Sequence, residues 1–381
     1  MSRSSCFFRS LLAYVLVFLI TLALAEVVLK TFFPVHVFRA GGENQWAAVT
    51  GWGPAMKSDG SCSCDTPHEF KKPPGKIRVL LLGDSILDCN DSGTQPFLDT
   101  VPALLAARLG PGYEVINLAA GGWGNDQEYL AYRYLGRRYA PDIVLLFFTP
   151  ANDIVNNISK KALFQDLDKP YFEWERGQLV LRGLDSKQKR PLLSAWLYHT
   201  ELGTRLWLFL KKMNERAARA SLDNQANSHL VTFINPWPDS VARGWEITKA
   251  ILSEMDEEIR RDLGRFAIVY VPNAAVPAEA WKGDFSKFDR RALGYIREEI
   301  PARLGSTEYR LDVFKPFREM SEFCRNGGIP LVDNLEEVEP YRFRHREICY
   351  DGLHLSRKGA ELLTEAVVRF IRNEGGDRRA S

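Results

Sequence analysis

Four short polar stretches follow apolar runs or precede the last helix-like segment, and their residue types fit acyl transfer. Ser85, in Gly83-Asp84-Ser85, comes directly after the run Ile77 to Leu82. A serine at its free pKa is a weak nucleophile and needs an adjacent base, which in turn needs an orienting group. Asp351 and His354, in Asp351-Gly352-Leu353-His354, are the candidate orienter and base. Their spacing lets the carboxylate fold back on Nδ1–H and leaves Nε2 for the serine Oγ. An oxyanion that develops on the substrate also needs donors. The candidates are the backbone N–H of Ser85, the backbone N–H of Gly122 in Gly121-Gly122-Trp123-Gly124, and the carboxamide of Asn152 in Pro150-Ala151-Asn152-Asp153. Gly122 suits close approach because it has no Cβ. Gly124 is a second candidate donor in the same turn.

Each stretch also has a plainer reading. Ser85 fits a helix N-cap. Asp351 and His354 fit the start of a helix, where the dipole favours a carboxylate. The Gly-rich stretch fits a strand-to-helix turn with positive φ, and Asn152-Asp153 fits an Asx turn. A phosphate loop is disfavoured, because the glycine spacing is not G-x-G-x-x-G and the P-loop lysine is missing. Cys62-Ser63-Cys64 has no histidine at ligand spacing, and His68 alone does not complete a zinc site. The sequence therefore implies neither a metal nor an organic cofactor.

The elements that must position these residues alternate. Strands are expected at Ile77 to Leu82, Tyr113 to Leu118, Asp142 to Phe148, Phe266 to Val271 and Ile329 to Val332. Helices are expected from about Pro96 to Arg108, Asn125 to Tyr139, Val241 to Leu263, Leu311 to Arg325 and Ser356 to Ile371. Asp142 to Phe148 is the most apolar of the strands, as suits one buried on both faces. Five strands alternating with helices argue a parallel, doubly wound α/β sheet. Ser85, Gly122 and Asn152 all follow strand ends, which share one edge of such a sheet, so they can converge with the Asp351/His354 loop. The alternation lapses between about 155 and 262, which reads as a mostly helical insertion.

Together, the four blocks resemble the SGNH (GDSL-type) hydrolases over about residues 76 to 373, insertions excepted. The matching stretches are Gly83-Asp84-Ser85-Ile86-Leu87, Asn117 to Gly124, Pro150 to Asp153 and Asp351 to His354. The resemblance implies a three-layer α/β/α, flavodoxin-like fold with a five-stranded parallel sheet. It implies Ser85 as nucleophile, His354 as base and Asp351 as its partner, with Gly122, Asn152 and the Ser85 amide as oxyanion donors. Ile86 stands where the family has Leu. Pro150 stands where a Gly usually precedes the Asn block, and a fixed φ there bears on the aim of Asn152.

The N-terminus is of another kind. Arg3 and Arg9 precede an uncharged run from Leu11 to Leu24, and the apolar stretch continues through Ala25-Glu26-Val27-Val28-Leu29, with Glu26 near the outer interface. At ~1.5 Å per residue this is long enough to span a bilayer, and the basic flank orients the rest of the chain outward. Ala23-Leu24-Ala25 also fits a signal-peptidase site, which would release a secreted chain. The apolar character persists through Phe32-Phe33-Pro34-Val35, which favours an uncleaved anchor. The expected organisation is an anchor over 1–30, a linker over 31–75, and a hydrolase domain over 76–375. Of six cysteines, five follow the anchor, so at least one is a free thiol; Cys324 and Cys349 flank the last strand as a candidate bridge. A formal net charge of +2 over 381 residues gives no case for nucleic acid.

The leading functional expectation is an outward-facing serine ester hydrolase acting on an acyl ester such as an O-acylated glycan. Alternatives are acyl transfer to an exported polysaccharide, which needs a groove that excludes water, and a lipase or thioesterase. A non-catalytic glycan-binding protein is the remaining option, and the intact Ser/His/Asp set argues against it. Trp174, Trp196, Trp237, Trp245 and Trp281 are candidate sugar platforms, although such residues more often belong to the core.

Overall fold

A computed structural model describes residues 3–32, 68–87, 99–160, 169–183, 200, 202–203, 205–206, 231–272, 310–312, 314–341, 345–349 and 354–376. Its central sheet has five strands, numbered here in chain order: β1 Ile77–Leu82, β2 Tyr113–Asn117, β3 Ile143–Phe148, β4 Arg265–Tyr270 and β5 Leu331–Val332. They lie in the order β2-β1-β3-β4-β5, and every neighbouring pair is parallel. This is the expected doubly wound topology, and the strand order reverses at β1, where such sheets place their sites.

The helices are α1 Arg3–Phe32, α2 Val101–Leu109, α3 Asn125–Tyr134, α4 Asp153–Asn156, α5 Asp239–Arg261, α6 Lys315–Gly327 and α7 Arg357–Gly376, apart from short single turns. The two-residue period of β1 divides them between the faces of the sheet. Val79 and Leu81 join Val101, Leu105, Leu363, Val367 and Ile371 in one apolar cluster, which places α2 and α7 on that face. Leu80 and Leu82 join Tyr129, Tyr132, Ile251, Met255 and Met320 in the other, beneath α3, α5 and α6. All six residues of β3 are buried, as its composition requires of a strand covered on both sides.

Boundaries shift from the sequence expectation in places. The helix expected from Pro96 begins at Val101, after Thr100, and residues 91–98 lie outside the described set. Helix α3 ends at Tyr134 and is followed by a 3-10 turn, Gly136–Tyr139, instead of continuing. Leu311 belongs to a short two-stranded pair with Ile234–Asn235, and α6 starts only at Lys315. The insertion is not simply helical: Tyr171–Glu175 and Gln178–Arg182 form an antiparallel hairpin. Arg176 and Gly177 at its tip both have positive φ, 50° and 80°, which matches the twist of paired strands. Cys324 and Cys349 do not bridge; both are buried thiols, and burial pushes Cys324 up to about 12. Cys62, Cys64 and Cys89 lie outside the described residues.

The chain divides into two units. One comprises Met1–Arg39 with Gln188–Asn224, the other Ala40–Lys187 with Gln225–Ser381. In the first, Ala13–Phe32 is long and apolar enough to cross a membrane, and none of that span is buried in protein. The Glu26 carboxylate in it accepts a 3.0 Å bond from the Leu202 amide.

In the second unit, the edge of the sheet away from Ser85 is clasped by Arg78, whose side chain is 0% exposed. Its Nε donates to Glu114 at 2.8 Å, and its Nη atoms donate to the carbonyls of Glu69, Phe70 and Tyr139. His68 Nδ1 lies 2.9 Å from the same Glu114, so one buried guanidinium ties the segment before β1 to β2 and the end of the 3-10 turn. Arg78→Met removes a buried cation and leaves Glu114 charged. It is expected to cost about 3–5 kcal/mol of stability, read as a lower denaturation midpoint.

Candidate active site

Strand β1 delivers its chain to a tight turn at the reversal point. Gly83 is packed closely there: an added Cβ would lie 3.1 Å from Leu87 Cδ1 and 3.2 Å from Phe147 Cβ. Its carbonyl accepts from the Ala120 amide at 3.2 Å, which sets the β1 and β2 loops side by side. Asn117, the last residue of β2, reinforces this by donating to the Leu87 carbonyl at 2.9 Å and accepting from the Ala119 amide at 3.1 Å.

Asp84 faces inward and Ser85 outward from this turn. The buried Asp84 carboxyl accepts from the Ile86 amide and from Asn152 Nδ2, both at 2.9 Å. Burial pushes Asp84 above the usual carboxylate range. Those two hydrogen bonds and the field of His354 oppose the shift without cancelling it. Ser85 remains half-buried, and its Oγ lies 2.9 Å from His354 Nε2.

The histidine is placed by the start of α7. Leu355 forms an isolated antiparallel bridge with Cys349. The Ser356 amide donates to the Ile348 carbonyl at 2.9 Å, and the Ser356 Oγ accepts from the Gly359 amide at 3.3 Å as an N-cap. Gly359 has no room for a side chain, since a Cβ would fall 2.1 Å from the Ile348 carbonyl oxygen. His354 thus sits between two fixed points. Asp351, the expected orienter, lies outside the described residues.

The glycine turn after β2 has the conformation its composition requires. Gly122 has φ +76°, and its carbonyl accepts from Asn156 Nδ2 at 2.8 Å. Among the described residues, the backbone N–H groups of Ser85 and Gly122 donate to no protein acceptor, so both are available to an anion. Gly124 takes a different part. Its amide faces Gln127 Oε1 at 3.4 Å as half of a capping box for α3. A Cβ on Gly124 would sit 2.8 Å from Asn156 Cβ, so this glycine permits the turn and α4 to touch.

Asn152 is held more tightly than the sequence suggested. Its Nδ2 donates to Asp84 at 2.9 Å and to the Trp123 carbonyl at 2.7 Å, which occupies both amide hydrogens. The carboxamide therefore cross-links the β1, β2 and β3 loops, and it can reach a substrate oxyanion only by releasing one of those acceptors.

Sequence reasoning missed the layer behind these loops. Asn125, Asp126, Gln127 and Glu128 in the first turn of α3 are all fully buried, as are Asp153, Asn156 and Asn157. Asn157 donates to Asn125 at 3.1 Å and to Thr248 of α5 at 2.8 Å. Lys169 pairs with Asp126 with both side chains fully buried. The missed signal was the density of amides and carboxyls just after the Gly and Asn blocks. A cleft lined by Ile143, Gly264, Arg265 and Pro330 opens at the opposite edge of the sheet and takes no part in this arrangement. Among the described residues, no cluster of His, Cys, Asp and Glu is arranged to hold a metal.

Solved structures similar to this chain include a lipase/acylhydrolase from Enterococcus faecalis. It has 17% identity and a TM-score of 0.37, and the match covers 78% of this chain and 96% of the other. Axe2, an acetylxylan esterase from Geobacillus stearothermophilus, has 13% identity and a TM-score of 0.39, over 77% and 94%. A GDSL-like lipase from Bacteroides thetaiotaomicron has 12% identity and a TM-score of 0.35, over 78% and 88%. No protein-family model and no curated protein matches the chain. At such identities and TM-scores, the functional reading rests on the geometry of the site itself.

Gly124→Ala places a methyl group against Asn156. It is expected to cost about 1–3 kcal/mol through overpacking, measured as a lower thermal midpoint. Gly112→Ala, where nothing lies within 4 Å of the added Cβ, is the control.

Proposed function

We propose that this chain is a serine ester hydrolase of the SGNH (GDSL) type. In this reading it is held by α1 at the outer face of a cytoplasmic membrane and removes acyl or acetyl groups from an ester such as an O-acylated glycan. The observation that carries the proposal is the 2.9 Å approach of His354 Nε2 to Ser85 Oγ across 269 residues of chain. Helix capping by Ser85 does not call for a histidine at its hydroxyl, whereas a nucleophile does.

In this mechanism Ser85 Oγ attacks the ester carbonyl carbon as His354 Nε2 takes its proton. The carbonyl oxygen becomes an oxyanion facing the Ser85 and Gly122 amides, two fixed donors at the end of a buried sheet. Collapse breaks the bond to the alcohol, which leaves with the proton from His354. Water, deprotonated by His354, then attacks the acyl-enzyme, and the released acid restores Ser85. Asp351 is assigned to orient His354 through Nδ1 on the strength of the Asp-x-x-His spacing. Asn152 is assigned as a third donor that exchanges the Asp84 or Trp123 acceptor for the oxyanion. The outward setting is supported by the exposed apolar span Ala13–Phe32 and by Arg3 and Arg9 before it.

The full chain in detergent is expected to hydrolyse a short p-nitrophenyl ester and to be labelled at Ser85 by a fluorophosphonate. Ser85→Ala and His354→Ala should each lower kcat by about 10⁴–10⁶-fold. Unlabelled protein, or unchanged turnover in Ser85→Ala, defeats the proposal. Recovery of the chain in the pellet after alkaline carbonate washing of membranes is the expected result for an uncleaved anchor. Recovery of a shortened chain in the soluble fraction is the result for a cleaved signal.

A further inference from the structure

Behind the Ser85 turn lies a set of buried oxygens with too few hydrogens. Glu128 uses Oε2 to accept from Asn125 Nδ2 at 2.8 Å, and Asp153 uses Oδ2 to accept from the Thr149 amide at 2.8 Å. Glu128 Oε1 and Asp153 Oδ1 are buried with no hydrogen-bond partner, and so are the carbonyl oxygens of Asn152 and Asn156. All four are acceptors; the buried Thr149 hydroxyl, also without a partner, can donate to one of them, and the cluster is still short of donors. The carboxyls of Asp84, Asp126, Glu128 and Asp153 are all buried, and the one lysine paired with them among the described residues, Lys169, is engaged by Asp126. A fully buried carboxylate without a cation is strongly disfavoured, and protonation both removes the charge and creates the missing O–H donor.

We propose that Glu128 and Asp153 carry a proton between them at neutral pH and act as positioning residues, holding the Gly122 turn and the Asn152 turn together behind Ser85. Glu128 stands on α3, which begins at the glycine turn, and Asp153 directly follows Asn152 on α4. Asn156 and Asn157 stitch the same two segments at the Gly122 carbonyl and at Asn125. A proton between Glu128 and Asp153 adds the remaining link. Without it, two buried carboxylates repel each other across the two turns, and negative charge builds up behind the amides assigned to the oxyanion.

The charged groups that act on the pair are Asp84 from the β1 turn and Asp126 from α3, and Asn125 donates to Glu128. Lys169 faces Asp126, and His354 acts on Asp84. Burial and the mutual repulsion of the carboxyls raise both Glu128 and Asp153 well above the ordinary range. The folded state therefore binds the proton more tightly than the unfolded chain does. The stabilisation is complete below the ordinary carboxylate range and is lost as pH rises towards the folded-state value.

The kinetic arm of the test rests on the ester-hydrolase reading, while the spectroscopic arm does not. In the full chain in detergent at neutral pH, infrared spectra should show the C=O stretch of a protonated carboxyl that is lost in Glu128→Gln. Absence of that band in the wild type overturns the proposal. If the site hydrolyses esters, kcat of the wild type falls on the alkaline side, and in Glu128→Gln that fall moves at least one pH unit higher. For a one-unit shift the relative rate of the variant is about twofold greater at the wild-type alkaline midpoint, about fivefold greater one unit above it, and approaches about tenfold from two units above. Superimposable profiles overturn the positioning role. Asp153→Asn is the second variant should Glu128→Gln fail to fold, with the same expected shift. Failure of the functional reading looks different: no Ser85-dependent turnover, with the carboxyl band still present.

Discussion

The site depends on holding two groups 269 residues apart in the chain at hydrogen-bond distance. Neither local segment achieves this alone. Ser85 is fixed because β1 is buried on both faces and stops at a glycine with no room to move. His354 is fixed because α7 packs its Leu363, Val367 and Ile371 against the face of the sheet that carries Val79 and Leu81. The apolar interdigitation of that layer is what converts two distant loops into one constellation. Interiors packed this densely transmit small volume changes instead of absorbing them.

The opposite face meets a different demand. Three strand ends must bring polar loops together away from bulk water, and every buried N–H and C=O there needs a partner. Asn117, Asn125 and Asn157 meet much of it by donating and accepting at once, and Asn152 and Asn156 meet more by donation alone. The layer is rigid for the same reason. Each of these side chains bonds to another loop, so that no one turn can shift without breaking bonds in its neighbours.

What could be read from the sequence follows from which signals are local. The five strands were legible because each is a short apolar run bounded by Gly, Pro or Asn, and the alternation with helices fixed the sheet as parallel. Ser85, Gly122, Asn152 and His354 were legible as residue types at strand ends or before the last helix. The second layer was not. In α3, Asn125-Asp126-Gln127-Glu128 reads as a solvated first turn with acids favoured by the dipole. Its burial is a tertiary fact, set by α5 and the Asn156 contact. The double duty of Asn152 was hidden likewise, since no spacing reveals that Asp84 faces it. The hairpin at Tyr171–Glu175 was legible in principle from its aromatic alternation and the Arg176-Gly177 turn, but the apolar residues that follow it suggested helices.

The bridge between Cys349 and Leu355 has a kinetic meaning. It anchors the residue next to His354 to Cys349, and the 2.9 Å approach of Nε2 to Ser85 Oγ is set in the folded chain before any substrate binds. The cost of bringing the imidazole to the Ser85 hydroxyl is therefore met once, when the chain folds, and not again with each substrate. In the language of intramolecular reactions, the fold sets a standing effective concentration of imidazole at the Ser85 hydroxyl, which the proposed mechanism uses as base. That concentration is a property of the scaffold and does not depend on which acyl group arrives.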